Sequence, residues 1–218
     1  MVDYAPLFIS LRASLVASLI VFISGLLLAR LCLNLKGSLS WIIDVFFTLP
    51  MVLPPTVVGF FLLVIFGRNS FIGKALRGVG ISVIFSPLAT IVAAVVVSFP
   101  LMYKGAKGAL HLVDDTHVWA ARTLGLGEVE IFLRIMIPEA WPGIMASLAL
   151  SFARALGEFG ATLMIAGNIP GKTQTIPMAI YFATAGGDMG TAWMWVGIIT
   201  VVSTLALAAV AIFEKRGK

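Results

Sequence analysis

Charge is scarce in this chain. Of its 218 residues only 11% are Asp, Glu, Lys or Arg, against about 25% in an ordinary soluble domain. That excludes a soluble globular protein of this length and leaves almost no room for a soluble domain beside the rest. A single cysteine, Cys32, excludes a disulfide within the chain and any cysteine-based metal cluster. The two histidines, His111 and His117, have no carboxylate or second histidine at metal-ligand spacing, so neither a metal nor a cofactor is expected. The opening Met-Val-Asp-Tyr lacks a basic stretch, so a cleaved signal peptide is not expected. The net charge of +5 is not gathered into a basic patch interleaved with aromatics, which argues against a nucleic-acid partner.

What the chain has instead is apolar length. Hydrophobic residues make up 60% of it and mean hydropathy is +1.07. A helix crosses the hydrocarbon core with about 20 residues, and five stretches qualify. They are 11–33, with an uncharged core from Ala13 to Ala29; Val45–Gly67; Pro87–Tyr103, opened by Ser86 as N-cap and Pro87 at the first helical position; Gly143–Ala166; and Ala192–Phe213, which carries no charge. The expectation is an all-α, polytopic membrane protein in the lipid bilayer, with about five spans in one transmembrane domain over 5–214. No internal repeat or low-complexity tract interrupts it.

The connections predict orientation. With the N-terminus outside, Arg30, Lys36, Lys104, Lys107, Arg122, Arg134, Lys215, Arg216 and Lys218 face the cytoplasm, and Arg12, Arg68, Lys74, Arg77 and Lys172 face out. Nine against five follows the positive-inside rule. The inverted orientation places the 104–141 loop and the tail outside, against that bias.

Two features lie at bilayer depth. In the fourth span Arg154 and Glu158 are spaced i, i+4 and share a helix face. Charge there costs roughly 2.5–3.5 kcal/mol even on a lenient scale. The two either neutralise each other and hold the bundle together, or line and gate a pathway; the order Arg before Glu is the weaker one, which leans toward partners elsewhere. In the second span Pro50, Pro54 and Pro55 remove three amide donors within six residues and predict a kink or break. Irregular backbone at that depth is tolerated only against protein or a wet cavity. The break either serves packing or, with Thr48 and Thr56 beside it, offers weak anion-binding groups. Gly157 and Gly160 flank Glu158 and Phe159 and allow close helix contact.

Between the third and fourth spans lies an amphipathic, charged loop at 114–138. Asp114 or Asp115 caps a short helix, Gly125 ends it in the left-handed conformation, Gly127 loosens the chain before a second turn, and Pro138 marks the start of span four. Ala120 and Ala121 are small enough for a partner's groove to approach the backbone, with Arg122 and Glu128 at the rim. Further on, Ala166-Gly-Asn-Ile-Pro-Gly-Lys-Thr173 fits a loose Walker A pattern, but a membrane helix precedes it where a phosphate loop needs a strand, and Pro177 follows closely. No nucleotide site is expected there, and no catalytic residue anywhere.

The run Trp119-Ala120-Ala121-Arg122-Thr123-Leu124-Gly125, nine further residues, then Ile135-Met-Ile-Pro138 resembles the EAA loop of ABC-importer permeases, which docks the ATPase. The departure is Trp119 where that pattern has Glu, which replaces a charge contact by a greasier one. Arg154-Ala-Leu-Gly-Glu-Phe-Gly-Ala-Thr162, Asn168-Ile-Pro-Gly-Lys-Thr-Gln-Thr-Ile-Pro177, Leu53-Pro-Pro-Thr-Val-Val-Gly59 and the turn at Gly67-Arg-Asn are similar to the molybdate ABC transporter permease family, over nearly the whole chain. The resemblance implies the type I importer permease fold in a prokaryotic plasma membrane. It implies a homodimeric pathway, two cytoplasmic ATPase subunits on the 114–138 loops, and an extracytoplasmic molybdate-binding protein. It also implies coupling through Trp119, Ala120, Ala121, Arg122, Gly125, Ile135 and Pro138, and a pathway or gate at Thr48, Pro54, Pro55, Thr56, Arg154 and Glu158. Sulfate or tungstate is the alternative substrate. An ion-coupled secondary transporter would need several intramembrane carboxylates, whereas only Glu158 lies mid-membrane and Asp44 sits at an edge. An intramembrane enzyme would need a catalytic pair or metal ligands at bilayer depth.

Overall fold

A computed structural model describes residues 3–33, 35 and 37–216, with side chains through residue 208. Lys36 and Lys218, two of the charges assigned to the cytoplasmic side, lie outside the described residues, as do the side chains of Lys215 and Arg216. Every regular element among the described residues is helical. The helices are α1 (Ala5–Leu33), α2 (Ser38–Val52), α3 (Pro55–Phe66), α4 (Phe71–Gly78), α5 (Pro87–His111), α6 (Asp115–Thr123), α7 (Glu128–Ile131), α8 (Ile137–Leu156), α9 (Gly160–Ala166), α10 (Ile176–Ala185) and α11 (Met189–Arg216). A single π-turn, Phe132–Met136, joins α7 to α8. Four helical runs are long and apolar enough to cross a bilayer, and the bent pair α2–α3 makes up to five.

Lipid tails are as apolar as a leucine, so these helices associate by close packing rather than by escape from water. The sequence supplies small residues for it. On α1 the buried positions Ser10, Ala13, Ser14, Ala17, Ser18, Val21, Gly25 and Ala29 form one stripe at helical spacing. It meets α5 at Ala94, which packs with Ala17, and at Met102, Tyr103 and Ala106, which share a buried cluster with Val21 and Ala29. A Cβ at Gly25 would stand 2.8 Å from the Met102 side chain, and one at Gly143 of α8 would stand 2.8 Å from Ala109 Cβ of α5. Around this seam α1 packs on α5 and α8, and α8 on α11; α9 sits between α3 and α5. Ser14, Ser98 and Ser151 return their hydroxyl protons to their own helices, Ser98 to Ala94 O at 2.7 Å and Ser151 to Ser147 O at 2.8 Å, whereas Ser18 Oγ is buried without a partner among the described residues.

Three sequence expectations change. Span four is not one helix over 143–166: it runs unbroken from Glu128 in the 114–138 loop to Leu156, stops at Gly157, and resumes as α9 at Gly160. The loops expected outside hold two further helices. α4 is capped by the Ser70 hydroxyl, which accepts from Gly73 N at 2.8 Å. α10 is anchored where Ile176 N donates to Ser10 Oγ of α1 at 2.8 Å, and packs Ile176 and Ala179 on Trp195 of α11. Both were hidden from a span search because they are 8 and 10 residues long.

α2 buries none of its residues fully and leans mainly on α5. Its hold there is polar as well as aromatic. Tyr103 Oη donates to Asp44 Oδ1 at 2.5 Å, Lys107 Nζ donates to both Asp44 oxygens at 2.7 and 2.8 Å, and Phe47 stands edge-on to Phe99 and Tyr103. The carboxylate read as lying at a membrane edge is thus a bridge between two helices, with Lys107 as its counter-charge.

The seam makes one substitution act with opposite sign at two glycines. Gly143→Ala pushes a methyl group into Ala109, with an expected cost of about 1–3 kcal/mol. Gly108→Ala enters open space in a helix, with an expected gain of up to about 1 kcal/mol. Thermal unfolding in detergent checks the pair, and equal shifts would refute the close-packing account.

Candidate translocation and coupling sites

The break in the second span falls where proline demands it. Pro50 is accommodated inside α2, whereas Pro54 and Pro55 end it, and α3 leaves at 112° to α2. Thr48 lies inside α2 with its hydroxyl on Asp44 O at 2.7 Å, so it is not at the break. Pro54, Pro55 and Thr56 are there, exposed. Against this turn comes the second break, at 157–159. A Cβ on Gly160 would lie 3.0 Å from Pro55 Cβ and 3.3 Å from Thr56 N, so glycine lets the two interrupted helices meet. Gly157 makes no such contact; it is the C-cap of α8.

Arg154 and Glu158 bind each other across the second break, Nη1 to Oε2 at 2.8 Å, rather than finding separate charged partners. Their environments differ. The Glu158 side chain is 2% exposed and that of Arg154 is 34% exposed. The other carboxylate oxygen of Glu158 accepts from Ala161 N at 2.7 Å and so caps α9. Glu158 therefore satisfies the interrupted backbone and holds the guanidinium. Arg154 is the member that is partly exposed.

The coupling loop folds as helix, turn, helix. Asp114 Oδ1 accepts from Thr116 N at 2.8 Å, which resolves the choice of cap between Asp114 and Asp115. Gly125 stands at φ +83°, where an L side chain is strained. Gly125 N donates to Arg122 O and Leu126 N to Ala121 O, the paired bonds of a left-handed helix stop. Ahead of Pro138, whose ring would crowd the Arg134 carbonyl in an α-helix, the chain widens by one residue: Ile137 N reaches Phe132 O across the π-turn. Ile135, within that turn, is half-buried and Pro138 is exposed. Ala121 is buried against the loop's own core with Val118, Ile131 and Phe132, so only Ala120 of the alanine pair is exposed to a partner.

Arg122 and Glu128 do not stand apart on a rim. Arg122 Nε donates to Glu128 Oε1 at 2.7 Å, and Arg30 Nη2 of α1 donates to Glu128 Oε2 at 2.9 Å. The same Arg122 guanidinium lies 4.9 Å from the Trp119 ring centre. At the other end Glu139 accepts from Asp114 N and meets His117 Nδ1, at 2.9 and 3.0 Å. Arg30 and Glu139 escaped sequence reading because their partners lie 98 and 22–25 residues away, beyond any local pattern. The 166–173 segment is a tight turn in which Thr173 is fully buried and donates to Gly167 O at 2.8 Å, so its hydroxyl is committed and unavailable to a nucleotide.

Two measurements test these assignments. Arg154→Ala strands a buried carboxylate, with an expected cost of about 3 kcal/mol; adding Glu158→Gln removes the charge, keeps an acceptor for Ala161 N, and is expected to restore much of the loss. Equal or additive melting losses would show that the residues do not interact. The Glu139 carboxylate hydrogen-bonded to His117 holds that imidazole's pKa above its ordinary value. The protonated pair therefore contributes fully below pH about 6.5 and is lost as pH rises through the raised value. NMR titration of His117 is expected to show a raised midpoint that Glu139→Gln returns to about 6.5.

The geometry has relatives. The family described as binding-protein-dependent transport system inner membrane component matches residues 21–218. The molybdenum transport system permease protein ModB of Escherichia coli is 42% identical over 193 residues, 87% of this chain and 84% of its own length. The sulfate transport system permease protein CysT of Salmonella typhimurium is 32% identical over 208 residues, 95% of this chain and 75% of its own. A chain of the inward-facing MetNI methionine ABC transporter superposes with a TM-score of 0.78 at 16% identity, covering 98% of this chain and 94% of that one, and so shares the fold. Fold, spans and family agree: this chain belongs to the binding-protein-dependent transport system inner membrane components, as a multi-pass permease of the ABC importer type.

Proposed function

We propose that the chain is the permease of an ATP-driven molybdate importer. Two copies form the pathway, two ATPase subunits dock on the 114–138 loops, and an extracytoplasmic binding protein delivers the anion. Residues 5–214 act as one transmembrane domain, N-terminus outside. Molybdate rests on one observation, the 42% identity to the Escherichia coli molybdenum permease over most of both chains. The likeness to a sulfate permease keeps sulfate as the second reading, since both are tetrahedral dianions suited to the same donors.

The site chemistry supports an anion conduit. A dianion at bilayer depth needs a cation and hydrogen-bond donors in place of water. Arg154, held by Glu158 yet partly exposed, supplies the cation, and the exposed turn at Pro54, Pro55 and Thr56, which meets Gly160, supplies irregular backbone. An ion-coupled transporter fares worse. Its one mid-membrane carboxylate, Glu158, is buried, capped onto Ala161 N and paired, hence poorly placed to take up and release a proton each cycle.

Coupling follows from the loop's attachments. Force applied at α6 passes through Glu128 to Arg30 of α1 and through the π-turn to α8. Vesicles rebuilt with the ATPase and the binding protein are expected to take up molybdate in preference to sulfate, only with ATP inside, and Arg154→Ala to abolish uptake. Preferred sulfate uptake would overturn the substrate. Uptake that needs no ATPase and stops when the ion gradient is collapsed would overturn the importer reading.

A further inference from the structure

The coupling loop has few ionic groups left to offer. Arg122, Glu128 and Arg30 form one network; Glu130 pairs with Arg134; Glu139 is taken by His117 and the Asp114 amide; and Asp114 caps α6. What stays exposed is apolar: Leu112, Leu124, Val129, Leu133 and, at 62%, Trp119, with the Arg122 guanidinium stacked on its ring. A large aromatic side chain held flat by a cation that is itself held by a carboxylate is pre-ordered, so little freedom is lost when a partner covers it.

We propose that the ATPase docks on this chain by burying Trp119 as its anchor, in a groove with an apolar floor, rather than by an ion pair at that position. This rests on the docking reading above. The loop's charge also selects a protein over the lipid surface as occupant. Residues 112–139 hold five acidic side chains, Asp114, Asp115, Glu128, Glu130 and Glu139, against two arginines, Arg122 and Arg134. The inner leaflet is anionic and attracts basic segments, so it repels this one. An acidic loop favours a partner groove with a basic rim, which would speed encounter, while the aromatic anchor sets the lifetime of the complex.

The test titrates detergent-solubilised permease with the ATPase subunit of its own transport system. Trp119→Ala is expected to raise Kd about 30-fold. Trp119→Glu, which restores the acidic residue of the EAA pattern, is expected to lose at least as much, and Val129→Asp provides a second probe on an exposed side chain. A tenfold rise in salt is expected to move Kd only a few-fold, because the short-range pairs are internal to the loop. Binding of Trp119→Glu as tight as the unaltered protein, or a salt effect larger than that of Trp119→Ala, would overturn the apolar dock while leaving the loop as the docking element. If Ala120→Cys binds the ATPase tightly but fails to cross-link to it, or if the loop instead binds vesicles of anionic lipid, the docking reading itself falls.

Discussion

Hydrocarbon offers no hydrogen bonds, and the architecture turns on how the chain interrupts its helices in spite of that. Both interruptions at bilayer depth are satisfied from within. At 53–54 prolines remove donors that would otherwise be stranded. At 157–159 the Glu158 carboxylate accepts from the amide of Ala161, the second residue of α9, and carries Arg154 with it. Gly160 lets the two breaks touch. Without that cap, an amide in the first turn of α9 would lose its acceptor and the guanidinium would lose the carboxylate that holds it.

The rest of the bundle serves as a frame for this meeting point. The small-residue stripe on α1 and the glycine contacts between α5 and α8 hold backbones close enough to resist sliding. Asp44, Lys107 and Tyr103 tie the loosely packed α2 to that frame through polar contacts, which suits an element that buries little of itself. At the opposite end of α8 the frame continues into the coupling loop without a flexible joint, because α7, the π-turn and α8 are one unbroken helical run.

Much of this was legible in the sequence where the signal is local. Hydropathy marked the spans, three prolines marked the bend, Asp114 and Gly125 marked the ends of α6, and the EAA spacing marked the loop. Where the sequence misled, a tertiary contact had overridden the local pattern. No proline interrupts 143–166, and Gly157 and Gly160 read as close-contact residues, so the bond from Ala161 N to Glu158 is what marks the restart of the helix. Ala121 is buried in a cluster that joins the loop to α1, α5 and α8, a burial that no local pattern announces. Arg30 looked like one of many basic residues, and its role depends on a carboxylate 98 positions away.

The π-turn carries a geometric implication. An α-helix advances about 100° per residue, so one extra residue offsets everything downstream by that angle. The wider π-turn takes up that angle by turning less per residue, so α7 and α8 run on as one helix although their residue patterns are one position out of step. Were the turn closed to ordinary α-helix with all of its residues kept, α7 would rotate by roughly a quarter of the circumference relative to α8. The turn is in effect an indexing device: its width sets the heading of α7 relative to the bundle, independently of the side chains that α7 carries.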